Sequence, residues 1–217
     1  LKRLSEAEAK GEKVHALVKG VGLMNDGTSA SFNAPNGKAQ EKLISRTVRN
    51  AGLDSRDVDY IEAHGTGTAL GDPIEVGALA GALGRDREDH DPLVIGSAKA
   101  NIGHLEPAAG IAGLIKAVLV LQHEQAPPNA ELRTFNPKLQ IIVEQTGFPV
   151  SFPQKLESLA RPSHKSVDDS LVAGISSFGA FGTIAHTVIS GAPADMTRTS
   201  ESSEIQRTIF GSAKNFP

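Results

Sequence analysis

Between Asp57 and Glu75 the chain reads DVDYIEAHGTGTALGDPIE, and no other stretch restricts the fold as tightly. Val58–Ile61 is β-prone, the Gly/Thr run HGTGTALG interrupts it, and a helix start follows. Asp72 offers a capping carboxylate, Pro73 suits the first helical position, and Glu75 stands where a capping-box partner belongs. A strand that passes through a glycine-rich turn into a helix is the unit of a layered α/β fold. The same alternation recurs along the chain. Val14–Gly20 reads as a strand, and a helix from about Gly37 carries Ala39, Leu43, Ile44 and Val48 on one stripe before Gly52 stops it. Leu93–Ser97 reads as a strand buried on both faces. Residues 108–122 form a mostly buried helix whose small residues allow close packing, and residues 172–176 and 183–190 are two further strands. These elements predict an α/β layered fold with a mixed sheet and buried helices.

Of the 217 residues, 39% are hydrophobic, enough for a core. The pattern holds to about Ser190, whereas the last stretch, GAPADMTRTSESSEIQRTIFGSAKNFP, is Ser/Thr-rich and weakly patterned. One domain over residues 1–190 and a linker or tail over 191–217 is the economical division. With 22 basic and 25 acidic residues, the net charge of −3 offers no broad attraction to nucleic acid or to an anionic membrane. The charged N-terminus, LKRLSEAEAKGEK, lacks a signal-peptide core. The best apolar run, Gly110–Gln122, is interrupted by Lys116 and too short to span a bilayer. The expectation is a cytoplasmic chain. Cysteine is absent from the sequence, which excludes disulfides, Cys-ligated metal and a thiolate nucleophile within this chain.

Three segments carry chemistry. His64 stands where a strand ends and a glycine turn begins, the place where α/β folds gather ligand-binding loops. Thr66 and Thr68 in the same turn offer hydroxyls to an amide-bearing ligand. Taken by itself, an HGT turn is also compatible with a structural loop and a solvated histidine. In SAKANIGHLEPAAG, Lys99 and His104 again follow a strand, and a neighbouring ammonium favours a neutral imidazole that donates one hydrogen bond and accepts another. In GISSFGAFGTIAH, Gly174, Gly179 and Gly182 flank a turn between two strands, which alone reads as an ordinary hairpin.

In this order, HGTGT, K-x-N-x-G-H, and SSFG followed by GT-x-AH closely resemble the ketosynthase domains of modular polyketide synthases, cousins of the fatty-acid condensing enzymes. The stretches NDGTSASFNAPNGKAQEKLI, AGLDSRDVDYIEAHGTGTALGDPIE and GLIKAVLVLQHEQAPPN extend the resemblance over roughly residues 1–190.

The resemblance implies a thiolase-like fold of two similar halves, with this chain supplying the C-terminal half and starting in mid-domain. It implies a cysteine in the preceding half that holds an acyl group, and a malonyl-type thioester on an acyl carrier protein that loses CO2 and attacks it. His64 and His104 would donate hydrogen bonds to the thioester oxygen, Lys99 would tune His104, and Thr66 and Thr68 would contact the phosphopantetheine arm. Phe178 and Gly179 would belong to the substrate-binding surface. The resemblance calls for no separate cofactor, since the arm arrives on the carrier protein, and it implies a homodimer. Where relatives read GFGGTNAH this chain reads GAFGTIAH, with Ala180 at the usual aromatic gate, Phe181 at a usual glycine and Ile184 at a usual asparagine. That departure implies either a rearranged loop or impaired catalysis. With no cysteine in the chain, two readings stand: half of a condensing enzyme without its cysteine-bearing half, or a ketosynthase-derived module that has lost its nucleophile and has a structural or carrier-binding role in a larger assembly.

Overall fold

A computed structural model describes residues 1–27, 35–85, 87–159, 164–166, 169–193 and 196. The six-stranded sheet runs in the order β1-β8-β7-β2-β3-β5. Its strands are β1 (Ala16–Asn25), β2 (Tyr60–Glu62), β3 (Leu93–Gly96), β5 (Val150–Ser151), β7 (Val172–Phe178) and β8 (Thr183–Gly191), and β4 (Gln125–Ala126) pairs separately with β6 (Glu157–Ser158). Strands β7, β2, β3 and β5 are mutually parallel, whereas β8 is antiparallel to both β7 and β1. The mixed sheet expected from the sequence is present, and β2 lies at its centre.

Helices cover both faces. On one side α2 (Gly37–Asn50) and α3 (Gly71–Leu83) bury Ile44, Val48, Leu79 and Leu83 against Ile61, Ile95 and Val188. On the other, α5 (Ala109–His123) lays Ala117, Val120 and Leu121 on Tyr60, Val94, Ala173 and Ile175. Full burial of each large apolar side chain contributes about 1.5–3 kcal/mol, so these two layers supply most of the drive to fold. Short α1 (Leu4–Ala9) and α4 (Lys99–Ile102), with α6 (Pro137–Thr146), complete the helices.

Three local expectations change. Strand β1 runs five residues past Gly20, because Gly20 and Gly22 are strand residues against which α2 lies: a Cβ on Gly20 would come 2.9 Å from the Thr47 carbonyl oxygen. Gly174 likewise lies inside β7, not beside the turn. Helix α5 is only half buried, since Ile111, Ile115 and Leu119 are 48–57% exposed along its outer face. The stretch from residue 191 onward falls almost wholly outside the described residues. Among the described residues no helix is long and apolar enough to cross a membrane.

Candidate active site

The parallel strands β2 and β3 end side by side, with Glu62 opposite Gly96. The chain that leaves β2 carries His64 and the chain that leaves β3 carries Lys99 and His104. Strand ends on one edge of a parallel sheet are where α/β folds bind ligands. Forty positions apart in sequence, the two imidazoles meet edge to face with ring centroids 5.7 Å apart. That is close enough for both to address one ligand atom.

Hydrogen bonds from the backbone fix how each ring is used. The Phe178 amide donates to His64 Nδ1 at 3.3 Å, and the Glu106 amide donates to His104 Nδ1 at 3.1 Å. An Nδ1 that accepts cannot carry the proton of a neutral ring, so both histidines are left with Nε2–H as a donor. Burial, reinforced by the charge of Lys99 and by His104, lowers the His64 pKa to about 4. The ring is therefore neutral at pH 7. Lys99 lies on the same cavity wall as His104, and burial lowers its own pKa.

The turn that carries His64 is held from below. Glu75 is fully buried, and its two oxygens accept the His64 amide at 2.8 Å and the Gly65 amide at 2.9 Å. Burial raises its pKa to about 7 against the lowering effect of those two bonds. Asp72 accepts the Gly67 amide at 3.1 Å. The expected capping box is thus absent: α3 begins at Gly71, and Asp72 and Glu75 serve the loop amides instead of the helix start. The helix N-terminus draws on Thr68, whose hydroxyl accepts the Gly71 amide. Gly65 has φ +45° and sits where a Cβ would come 2.8 Å from Ser97 Cβ, so this tight turn requires glycine.

A second buried carboxylate braces the other turn. Tyr60 and Glu62, two apart on β2, share the face toward α5. Glu62 accepts the Ala98 amide at 2.5 Å and the Tyr60 hydroxyl at 2.7 Å. Lys116 Nζ lies 2.9 Å from Glu62 as a charge pair that falls short of hydrogen-bond geometry. Gly113 leaves the room, since its Cβ would come 3.0 Å from Glu62 Cγ. The sequence singles out neither Glu62 nor the pairing role of Lys116, and it offers Glu75 only as a capping-box partner. An acidic residue inside a strand reading as otherwise apolar was the available signal.

Two cavities flank the His64 turn. One, of about 490 Å³, is lined by His64, Thr66, Thr68, Phe178, Gly179 and Phe181, together with Gln40 and Ile184. The other, of about 430 Å³, is lined by Lys99, His104, Asn129, Phe135 and Phe152, and Thr66 and Glu75 border both. All seven residues singled out from the sequence therefore surround one turn. The GAFGTIAH departure leaves the hairpin closed: the Gly179 amide donates to the Thr183 carbonyl at 2.7 Å, Phe181 stands 85% exposed, and Ile184 is buried. Phe181→Ala is accordingly expected to change stability by no more than about 0.5 kcal/mol, measured by thermal or urea unfolding.

Residues 15–133 match the family model described as the C-terminal domain of beta-ketoacyl synthase. The chain is 44% identical over 197 residues to a phenolphthiocerol/phthiocerol polyketide synthase of Mycobacterium bovis, covering 87% of this chain and 10% of that protein. It is 44% identical over 193 residues to an erythronolide synthase of Saccharopolyspora erythraea, covering 89% of this chain and 6% of that one. Among solved structures, an oxazolomycin ketosynthase domain of Streptomyces albus superposes with a TM-score of 0.78 at 36% identity, over 88% of this chain and 33% of that one. A ketosynthase from module 6 of the bacillaene synthase of Bacillus subtilis gives 0.77 at 33% identity, with the same two coverages. The chain thus spans a tenth or less of these two curated relatives and a third of these two solved chains. With its thiolase-like mixed sheet and its ordered series of motifs, the chain belongs to the β-ketoacyl synthase family and carries the C-terminal part of a polyketide-type ketosynthase.

Proposed function

We propose that this chain contributes the two histidines for decarboxylative condensation of malonyl-type thioesters, with the acyl group held on a cysteine of a preceding half. The observation that carries this reading is the pair of imidazoles with ring centroids 5.7 Å apart, each with Nδ1 accepting a backbone amide so that Nε2 is left as the donor. As CO2 leaves the malonyl group, its electron pair passes into the thioester and charge grows on the thioester oxygen. Two positioned donors stabilise that enolate oxygen, each worth about 3–4 kcal/mol. The resulting carbanion then attacks the acyl thioester and releases the cysteine thiolate. Lys99 tunes the histidines by its charge, Thr66 and Thr68 hold the phosphopantetheine arm, and Phe178 and Gly179 line its path. The arm enters as part of the carrier-protein substrate, so the reaction needs no resident cofactor.

The first half is the natural cover for the outer face of α5. Ile111, Ile115 and Leu119 are exposed there, and Ile102 and Leu105 are exposed on the neighbouring turn with His104. Apolar patches of this kind are usually buried by a partner. We assign a homodimer of complete ketosynthases and an acyl carrier protein as the remaining partners.

A pH titration of the histidine ring nitrogens by NMR tests the chemistry. His64 is expected as the Nε2–H tautomer at pH 7, taking up its second proton only near pH 4, and the Nδ1 of His104 is expected to show the signature of an acceptor for the Glu106 amide. A neutral His64 protonated on Nδ1 would remove the proposed donor, and a His64 cationic at pH 7 would contradict Nδ1 as acceptor of the Phe178 amide.

A further inference from the structure

Helix α2 turns Leu43, Ile44, Thr47 and Val48 inward, and Gln40 is buried with them at 2% exposure. An apolar residue at position 40 would extend the stripe at no cost in polar desolvation. Gln40 instead brings an amide to the wall of the 490 Å³ cavity that holds His64 and Thr66, and its Oε1 has no hydrogen-bond partner among the described residues. Burying such a group unpaired costs stability that folding does not recover. The polar neighbours do not need it. Both Glu75 oxygens and one Asp72 oxygen already accept backbone amides, and buried Ile184 on the same cavity brings no donor. Among the described residues nothing satisfies Gln40 Oε1, and the cavity it lines is where a ligand could.

We propose that Gln40 is a ligand-binding residue whose side-chain amide pairs with a secondary amide of the arm that occupies this cavity. The lining selects that chemistry. Among the described residues the cavity wall brings no cationic side chain to hold an anionic ligand, the rings of Phe178 and Phe181 suit an alkyl stem, and Gln40 presents a neutral acceptor. A pantetheine arm, neutral and carrying two amide N–H groups, fits all three. The assignment rests on the arm-binding reading given under Proposed function.

The 217-residue chain is titrated with pantetheine while NMR follows the Gln40 side-chain amide and the Thr66 and Thr68 backbone amides, alongside a Gln40→Met variant of similar shape. Pantetheine is expected to shift the Gln40 side-chain signals, and Gln40→Met to bind it roughly five-fold more weakly, the effect of one lost hydrogen bond. Without ligand, Gln40→Met is expected to melt at the same temperature as the parent or higher, because it removes an unpaired buried acceptor. Unchanged affinity in Gln40→Met, with the threonine amides still shifting, overturns the role of Gln40 and leaves the arm-binding reading in place. A melting temperature several degrees lower in Gln40→Met shows that the amide serves the fold, and also overturns the proposal. Absence of any shift in the parent chain overturns both. The parent side-chain signals give an answer that does not depend on the variant folding.

Discussion

Replacing Lys116 by methionine is expected to lower the stability of the chain by roughly 3–5 kcal/mol, the usual loss when one partner of a buried ion pair is removed. Lys116 is the cation facing Glu62, at 2.9 Å, and the two side chains are 14% and 2% exposed. The Tyr60 hydroxyl and the Ala98 amide would still reach the carboxylate, but as neutral donors they do not replace a full charge in a place that water cannot enter. For a chain of this size such a loss lowers the melting temperature by roughly 10 °C. The double variant Glu62→Gln/Lys116→Met is expected to recover part of it, because the uncompensated charge is then gone while one carbonyl oxygen still accepts. Calorimetry on the parent, single and double variants decides the matter. A double variant less stable than Lys116→Met would show that the bonds of the Glu62 carboxylate to Tyr60 and Ala98, not an uncompensated charge, govern the loss.

Joined to a cysteine-bearing first half, this chain is expected to lose about 10²–10³ in malonyl-thioester decarboxylation when either His64 or His104 becomes alanine. In the proposed mechanism both imidazoles address one developing charge, so each removal leaves a single donor where two stood. The double variant should fall well short of the product of the two single losses, as groups that act as a unit do. Acylation of the cysteine by the acyl donor should persist in both variants, since it does not need the enolate to be stabilised. The two steps are separable by mass spectrometry of the acyl-enzyme and by release of labelled CO2. A loss of less than ten-fold in either variant would contradict the shared-oxygen geometry. Equal collapse of acylation and decarboxylation would point to a folding defect, which the melting curve of the variant would reveal.

Much of the fold is legible in the sequence because its signals are local. The stripe Leu43, Ile44, Val48 repeats at helical spacing and becomes the buried face of α2, and the uninterrupted run at Leu93 becomes a central strand buried on both sides. The histidines could be placed at strand ends for the same reason, since a glycine turn after a β-prone run marks where a sheet edge lies. Other elements escaped because their stabilising contacts are distant in sequence. The two-residue strand β5 exists only by pairing with β3, and the part of β1 beyond Gly20 shows as strand only once α2 is seen lying across Gly22.

Sequence alone determined the family and the α/β class and pointed to His64, Lys99 and His104 as site candidates, because those depend on residue types in a fixed order. Tertiary structure decided how they act. Asp72 and Glu75 satisfy a helix-start rule on paper, yet their carboxylates turn to the His64, Gly65 and Gly67 amides, which lie past the end of β2 and before α3 and so have no partner in sheet or helix. Which nitrogen of His64 donates depends on the Phe178 amide, 114 positions away, and the openness of Gln40 depends on what fails to reach it. Periodicity can say that a residue faces inward. It cannot say which buried polar group finds a partner, because that choice is made by chain segments brought together only when the sheet closes.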